Sequence, residues 1–279
     1  MDYKIVLDSS SNWRSAQAHI ATVPLKIVTE EKEYTDDAAL DTAAMLDELE
    51  SYKGRSGTSC PNVGDWLDAF GDAEHVFAIA ITSNLSGSYN ASVQAKAVYE
   101  QENPGRRVCC LDTLSTGGEM VLIAEKLEEL IAQGLDFDAV EAKIREYMKR
   151  THLLFMLESM DNLAKNGRVS SIVAKACGIL NIRVAGCASE VGTLQPDHKC
   201  RGTKKTLEVM VKDMLEKGYR GGKVLIDHVY NLEAAEALKA KILELFADAR
   251  IRIGKCGGLC SFYAERGGLI VGFEGGMNE

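Results

Sequence analysis

The sequence predicts an α/β protein with an N-terminal parallel-sheet domain and a C-terminal α+β domain. Residues 76–81 and 108–111 are apolar throughout, which is typical of strands buried on both faces of a parallel sheet. Each is followed by a polar loop and a helical pattern, as in right-handed βαβ units. The second half does not keep this alternation. We therefore place a boundary near 148–151 and predict domains 1–149 and 150–279.

The N-terminal half begins with strand patterns and continues with helices that alternate with the two buried strands. Predicted strands cover 3–7 and 23–28, with a short partner around Tyr34. Helical patterns end at Ser51 and Phe70, and two longer ones follow at 89–100 and 117–133. Thr42 and Asn62 are the predicted N-caps of the first two helices, because their side-chain oxygens can accept hydrogen bonds from free helix N–H groups.

The C-terminal half contains shorter elements of both kinds. Strands are predicted at 153–156, 223–227, 250–253 and 269–273, and a helix at 204–215. A glycine turn at 165–170 has Arg168 at its centre and Ser170 as cap of the next helix. Asn231 is the predicted cap of a further helix. The apolar stripe of that helix consists of Leu232, Ala235, Leu238, Ile242 and Leu245.

Composition narrows the class of function. The 279 residues have a formal net charge of −9 and are 46 % hydrophobic. Nucleic-acid binding needs clustered cations and is not expected. No apolar run reaches the roughly 18 to 20 residues of a membrane span, and the first residues do not resemble a signal peptide. We expect a cytoplasmic protein with reduced cysteines, no metal site and no integral membrane segment.

Three hydroxyl-rich segments are expected to converge at the carboxyl ends of the strands, where open α/β sheets bind ligands. They are 8–11, Thr58-Ser59-Cys60-Pro61 and the loop 83–88. In the loop, small hydroxyls and a glycine lie between a buried strand and a helix, an arrangement that can hold a phosphate or a carboxylate. Ser86 or Ser88 could equally well only cap the helix, and one serine can do both.

The sequence offers little evidence for catalysis. The chain has no nucleophile elbow, no phosphate-binding P-loop and no zinc-protease motif, and we assign no catalytic residue. One alternative is a hydrolase or phosphotransferase acting on a small acidic substrate in the same crevice, with His228 or Cys60 as the reactive group. Another is a regulatory interaction protein with an incidental pocket.

The ordered set of motifs resembles the DegV family of bacterial fatty-acid-binding proteins, which includes the fatty-acid-binding subunits of fatty acid kinase. The similarity covers nearly the whole chain. Segment 58–61 is similar to the family's Thr-Ser-x-Pro turn, and 83–89 to its Ser-x-Leu-Ser-Gly-Thr-Tyr loop. Segment 163–170 follows Leu-x-x-Gly-Gly-Arg-Ile/Val-Ser with Asn166 in place of a glycine, and 201–205 is similar to Arg-Gly-x-Lys-Lys.

The resemblance implies one buried long-chain fatty acid, such as palmitate or stearate, and no other cofactor. Thr58 and Ser86 then hydrogen-bond the carboxylate, with Ser59 and the Gly87 N–H as neighbours. Arg168 lies near the head group.

The resemblance also implies a partner, an ATP-dependent fatty acid kinase subunit that Arg201 is expected to face. One departure concerns this kinase role. Tyr263 stands where the family has a histidine, and a phenol can donate a hydrogen bond but is not a cation near neutral pH.

The path of an acyl tunnel is not determined by the sequence. Two apolar helix faces could line it or form ordinary core. One consists of Val93 and Ala97, and the other of Ile172, Ala176 and Ile179.

Overall fold

The computed structural model describes residues 2–170 and 181–276. Ile172, Ala176 and Ile179, the helix face that could line a tunnel or form ordinary core, lie outside this part. Within it, the strands form three sheets, and the predicted α/β class with two different halves is confirmed. The strands are β1 Tyr3–Asp8, β2 Ile20–Val23, β3 Lys26–Thr29, β4 Glu33–Thr35, β5 Ser56–Ser59, β6 His75–Ala80, β7 Arg107–Asp112, β8 Thr151–Leu157, β9 Ile182–Ala188, β10 Leu194–Arg201, β11 Lys223–His228, β12 Arg250–Lys255 and β13 Leu269–Glu274.

Helices lie between many of these strands. They are α1 Thr42–Ser51, α2 Val63–Phe70, α3 Ser88–Glu102, α4 Gly118–Ala132, α5 Phe137–Met148, α6 Asp161–Lys165, α7 Thr203–Glu216, α8 Leu232–Leu245 and α9 Gly258–Ala264. A 3₁₀ turn at Ser9–Ser11 follows β1.

The N-terminal sheet is parallel throughout, in the order β2-β1-β6-β7. Residues from Val76 to Ala80 of β6 have no exposed surface. Phe77 and Ile79 pack into the core on one face of the sheet, while Val76, Ala78 and Ala80 pack into the core on the other. The continuous apolar pattern of this strand thus follows from burial on both faces.

The predicted strand at 23–28 is wrong, because two strands in different sheets occupy this region. Pro24 separates them, since proline has no N–H to donate to a strand neighbour. β2 ends at Val23 in the parallel sheet, and β3 begins at Lys26 in a small antiparallel sheet of order β4-β3-β5. The Leu25 N–H between them donates to Ser9 Oγ at 2.9 Å.

The two predicted N-terminal caps have different outcomes. Asn62 caps α2 through a capping box with Asp65, as expected. Thr42 does not cap α1, because Asp41 accepts hydrogen bonds from the N–H groups of Ala43 and Ala44 at 3.0 and 3.1 Å. The Asp41 carboxylate, one residue before Thr42, caps the helix instead. Its negative charge also interacts favourably with the helix dipole.

The C-terminal sheet has the order β10-β9-β8-β13-β11-β12 and is antiparallel except between β11 and β12. Asn231 caps α8, as predicted. The predicted apolar stripe of α8 is too long, since Leu232 and Leu245 at the two ends of the helix are more than half exposed. Only the central part of the stripe, including Leu238, packs against the sheet.

α4 lies between the parallel sheet and the C-terminal sheet. Ile123 faces the parallel sheet, and Leu122 packs on Leu225 of β11. The backbones of α4 and β13 approach closely at Gly272, where a Cβ atom would lie 2.2 Å from the Glu119 nitrogen. Glycine is therefore required for this contact between the two halves.

The small sheet belongs to the N-terminal sequence but shares its core with the C-terminal half. Ile27 and Tyr34 of the small sheet and Met45 of α1 lie in one hydrophobic cluster with Phe155 of β8 and Phe262 of α9. The division into domains 1–149 and 150–279 stays a prediction. This packing brings β5 and α9 together at the site described next.

Candidate ligand-binding site

A narrow apolar cleft lies where the parallel sheet, the small sheet and the C-terminal sheet meet. It contains about 810 Å³ of empty space including its open part, but the centre of a water-sized sphere can move through only about 90 Å³ of it. The larger apolar residues of its lining are Leu25, Ile81, Leu85, Leu114, Leu153, Phe155, Leu157, Leu163, Leu194, Leu259 and Ile270. Such a slot suits a thin, flexible, apolar chain.

One long wall of the cleft comes from a single strand. Leu153, Phe155 and Leu157 of β8 all line it, because alternate residues of a strand face the same side. Leu153 and Leu157 are four residues apart, which corresponds to about 13 Å along a strand. The wall therefore runs along much of the length of β8. The cleft is therefore elongated.

Several polar side chains of the cleft lining lie close to one another. Thr58 Oγ1 of β5 and the Tyr263 hydroxyl of α9 are hydrogen-bonded at 2.8 Å. The Arg168 guanidinium lies 5.9 Å from the centre of the Tyr263 ring, and its Nε donates to the Leu85 carbonyl at 3.2 Å. Arg168 forms no ion pair with any described residue. We call Thr58, Ser86, Arg168 and Tyr263 the head-group end; all four line the cleft.

Ser86 lies in the loop before α3. The N-cap of α3 is Gly87, and no side chain accepts a hydrogen bond there as a cap. Ser86 Oγ accepts from the Ser88 N–H at 3.3 Å, a short-range turn contact. Ser88 does not cap the helix, because its hydroxyl donates to buried Asp8 at 2.7 Å. The first N–H groups of a four-turn helix therefore start beside the head-group end.

The first hydroxyl-rich segment has another role than expected. Ser9, Ser10 and Ser11 are buried and none of them lines the cleft. Asp8 accepts hydrogen bonds from Ser10, from the Ile81 N–H at 2.9 Å and from Ser88. The segment thus ties β1, β6 and α3 together beneath the site, because a buried carboxyl must find donors within the fold.

Three predicted residues lie away from the cleft lining. Ser59 is exposed, because it points to the opposite side of β5 from Thr58. Gly87 is exposed, and a Cβ atom there would lie 3.0 Å from Cys60 Sγ. Arg201 is exposed at the end of β10. The ligand contacts of Ser59 and Gly87 and the partner contact of Arg201 stay predictions.

Sequence reasoning missed α9 and the residue that holds it. Asp36 is fully buried and accepts hydrogen bonds from the N–H groups of Gly258 at 2.7 Å and Leu259 at 3.0 Å. Arg14 donates to the same carboxylate at 2.7 Å. This bond network fixes the start of the helix that ends near Tyr263. No local pattern could have indicated it, since Asp36 and Gly258 are 222 residues apart.

A second, wider cavity adjoins the cleft. Leu114, Leu153, Cys187 and Ala188 line both spaces and so lie between them. Glu119 lies in the second cavity and accepts hydrogen bonds from Ser115 and from Thr151. Burial raises the pKa of this carboxyl to about 7, although both hydroxyls and Lys217 oppose the shift.

The candidate reactive groups do not lie in the cleft. Cys60 and His228 are absent from its lining, and His228 Nδ1 accepts from the Asn231 N–H at 3.1 Å. Burial lowers the pKa of His228. Cys187 does line the cleft, but burial raises the pKa of its thiol to about 11, so it stays neutral. In the described ranges, no group of three or more His, Cys, Asp and Glu side chains could hold a metal ion.

Within the described part of the chain, every helix is too short or too polar to cross a membrane.

Comparison with known proteins identifies relatives along the whole chain. A family model described as an uncharacterised protein of the DegV family matches residues 2–274. A DegV domain-containing protein of Streptococcus pneumoniae is 39 % identical over 279 residues, which cover 98 % of this chain and 99 % of the relative.

Solved structures give the same result. A DegV family protein from Eubacterium eligens, loaded with heptadecanoic acid, is 42 % identical with a TM-score of 0.96, covering 98 % of this chain and all of the other. The Streptococcus pneumoniae Fatty Acid Kinase (Fak) B3 protein, loaded with linoleic acid, is 39 % identical with a TM-score of 0.96, covering 99 % and 100 %. On this evidence of sequence and fold, the chain belongs to the DegV family.

Proposed function

We propose that this protein binds one long-chain fatty acid in the cleft and acts as a carrier, without performing chemistry itself. The observation that supports this most directly is the make-up of the cleft lining, which is mostly apolar and in its described part has one cation, Arg168, beside the hydroxyls of the head-group end. The solved relatives loaded with heptadecanoic and linoleic acid have the same fold. A fatty acid has this same division into an apolar chain and one acidic end.

The acyl chain supplies the affinity. Burying a methylene gains about 0.8 kcal/mol, so about fourteen of them give on the order of 11 kcal/mol before the cost of association. The mostly apolar lining supports an acyl chain such as that of palmitate or stearate. We propose C14 to C18 acids as ligands, the range that the family resemblance implies.

The carboxylate would be held at the head-group end. Thr58 and Tyr263 hydrogen-bond to one another, so either hydroxyl can turn toward an incoming oxygen. Ser86 and the first N–H groups of α3 add further donors, and Arg168 adds positive charge. An unpaired carboxylate out of water would cost several kcal/mol, and these donors remove that penalty.

A separate kinase is the proposed recipient. The Fak B3 protein is named as part of a fatty acid kinase, and a carrier of this kind would present the carboxylate to an ATP-using partner. Arg201, exposed and free of ion pairs in the described part of the chain, is our candidate contact on this partner. The free cysteines fit a cytoplasmic location, where thiols stay reduced.

Native mass spectrometry of the full chain, purified gently from bacteria, tests the proposal. We expect an added mass of a C14 to C18 fatty acid on the native protein. The double variant Thr58→Val, Ser86→Ala should bind palmitate at least about tenfold more weakly, because two hydrogen bonds to a charged group are lost. The matched control Thr42→Val, Ser51→Ala changes two hydroxyls of α1 that do not line the cleft and should bind normally.

Two results would contradict the carrier role. One is a protein free of lipid that also takes up no added palmitate. The other is turnover of acyl or phosphoryl substrates by this chain alone, which would favour the hydrolase or phosphotransferase alternative.

A further inference from the structure

The second cavity meets the cleft at the amino end of β8. Leu153 lines both spaces, whereas Leu157, about 13 Å further along the strand, lines the cleft alone. The head-group end lies toward the carboxyl end of β8, because Leu269, which follows α9 and its Tyr263 in the chain, pairs with Met156. An acyl chain that starts at the head-group end and follows β8 therefore brings its far end to the second cavity.

The second cavity differs from the cleft in its lining and its width. The centre of a water-sized sphere can move through about 580 Å³ of it, compared with about 90 Å³ of the cleft. Most of its described lining residues are polar, among them Glu119, Thr151, Ser189 and Lys217. An oxygen group on a ligand finds donors and acceptors there, whereas a hydrocarbon end finds few apolar contacts.

Glu119 is buried, and its hydrogen bonds connect the two spaces. Its carboxyl accepts from Ser115, which lines the cleft, and from Thr151 Oγ1 at 2.7 Å. The Thr151 hydroxyl has one hydrogen and a second acceptor, the Met148 carbonyl at 3.1 Å. When Thr151 donates to Met148, a protonated Glu119 can donate to Thr151. Burial raises the pKa of Glu119 to about 7, so this carboxyl can accept or donate near neutral pH.

The other charged groups of the second cavity leave one cation without an ion pair. Arg145 and Lys149 each pair with a glutamate of α5. Asp112 accepts from the backbone N–H groups of Ser83 and Leu114. Lys217, just after α7, is half-buried and forms no ion pair with a described residue. Its ammonium group can therefore donate to an oxygen on a ligand.

A plain methyl end does not suit these groups. An acyl chain that enters the second cavity displaces water from Glu119 and Lys217 and gives no hydrogen bond in return, which costs free energy. A hydroxyl at the end of the chain replaces that water, since it donates one hydrogen bond and accepts others. The polar lining therefore favours a chain whose far end has an oxygen group.

We propose that the second cavity is a subsite for a hydroxyl at the far end of the acyl chain, so that the protein also binds ω-hydroxy fatty acids. Glu119 and Lys217 are the residues that recognise this hydroxyl. The chain passes between the residues that line both spaces. This inference rests on the proposed function, because the carboxylate and the chain of such an acid occupy the head-group end and the cleft.

The test compares palmitate with ω-hydroxypalmitate, an acid of the same chain length with a terminal hydroxyl. Both displace a fluorescent fatty acid from delipidated full-length protein. In an apolar site the hydroxy acid would bind at least about tenfold more weakly, because its alcohol loses hydrogen bonds to water. We expect the native protein to bind the two acids with affinities within about threefold of each other, since the second cavity replaces those bonds.

Substitutions at Glu119 and Lys217 test the assignment of residues. In Glu119→Leu, which removes the hydrogen-bonding group at similar size, ω-hydroxypalmitate should bind about tenfold more weakly relative to palmitate. Glu119→Gln keeps a donor and an acceptor and should retain most of the native ratio. Lys217→Met keeps the apolar part of the side chain and should lower the relative affinity by about threefold. The control Glu102→Leu removes an exposed glutamate of α3 that lines neither space and should leave the ratio unchanged.

A shorter pair of acids tests the position of the subsite in the native protein. The hydroxyl of ω-hydroxylaurate stays within the apolar part of the cleft, so this acid should bind at least about tenfold more weakly than laurate. A hydroxyl without cost at both chain lengths would mean that it reaches open water instead of the second cavity, and the proposal would be wrong.

Two further results would overturn the proposal. One is native protein that binds ω-hydroxypalmitate at least about tenfold more weakly than palmitate, as an apolar site would. The other is a ratio of affinities that neither Glu119→Leu nor Lys217→Met lowers relative to Glu102→Leu. Failure of the proposed function looks different, because the native protein would then bind neither palmitate nor laurate.

Discussion

Two polar clusters lie close together in this molecule and use their hydrogen bonds differently. Around Asp8, a fully buried carboxyl accepts from the Ile81 N–H, from Ser10 and from Ser88, so every donor is committed to the fold. At the head-group end, the Thr58 and Tyr263 hydroxyls are only half-buried and bond to one another. The first cluster is structural, and the second has donors that a ligand can take over.

The difference shows that hydroxyl-rich sequence alone does not identify a binding site. What distinguishes the two clusters is whether an acidic side chain of the protein already accepts from the hydroxyls. Disrupting the Asp8 cluster should therefore reduce stability, and changing the head-group end should reduce affinity.

The largest effect is expected at Asp8. Asp8→Asn keeps the shape of the side chain but replaces one accepting carboxyl oxygen with an NH₂ group. This new donor faces the donors of Ser10, Ile81 and Ser88. We expect the free energy of unfolding to fall by about 3 kcal/mol. Chemical denaturation measures it, with exposed Asp248→Asn as control. A loss below about 1 kcal/mol would mean that the two clusters do not differ as described.

A pH-dependent effect of about 2 kcal/mol is expected at Glu119. Burial raises the pKa of Glu119 in the folded state to about 7, above its ordinary value of 4.5. The folded state therefore favours the protonated form, and this contribution is fully present below pH 4.5 and lost as the pH rises through 7. Native protein should lose stability relative to Glu119→Gln between pH 5 and pH 8.

The measurement is denaturation of both proteins across this pH range, with exposed Glu102→Gln as control. Because only the difference between variant and native protein is compared, other titrating groups cancel. A difference in unfolding free energy that is constant with pH would show that Glu119 stays ionised in the folded state over this range, so that burial does not raise its pKa.

The smallest effect is expected at Tyr263. Tyr263→Phe removes one hydroxyl whose protein partner is Thr58, so palmitate affinity should fall about three- to tenfold while stability changes by less than about 1 kcal/mol. Displacement of a fluorescent fatty acid measures the affinity. The control is Tyr230→Phe, which removes a hydroxyl bonded to Thr42 away from the cleft. Equal affinities for both variants would place the carboxylate elsewhere.

The parts of the fold that were predictable from sequence have local causes. The apolar run of β6 results from burial on both faces, and Asn62 caps α2 through a residue three positions away. The division of β2 from β3 was missed although Pro24 signals it, because the apolar pattern continues across the proline. β5 was missed because its Ser-Gly-Thr-Ser sequence has no apolar side chain.

The candidate site depended on the resemblance and on distant pairing. Thr58 and Tyr263 are 205 residues apart, so no spacing argument brings them together. The serines after Asp8 resemble the loop at 83–88 in composition, and only the folded structure shows that Asp8 accepts hydrogen bonds from Ser10 of the first segment and from Ser88 of the second. Packing between remote segments decides these roles.

The wall shared by the cleft and the second cavity has a consequence for evolution within such a scaffold. Leu153 of β8, Cys187 and Ala188 of β9, and Leu114 all line both spaces. We therefore expect the space open to a ligand tail here to depend on the size of these four side chains. Related chains can acquire new preferences by exchanging one of these residues while every backbone hydrogen bond of the sheets stays in place.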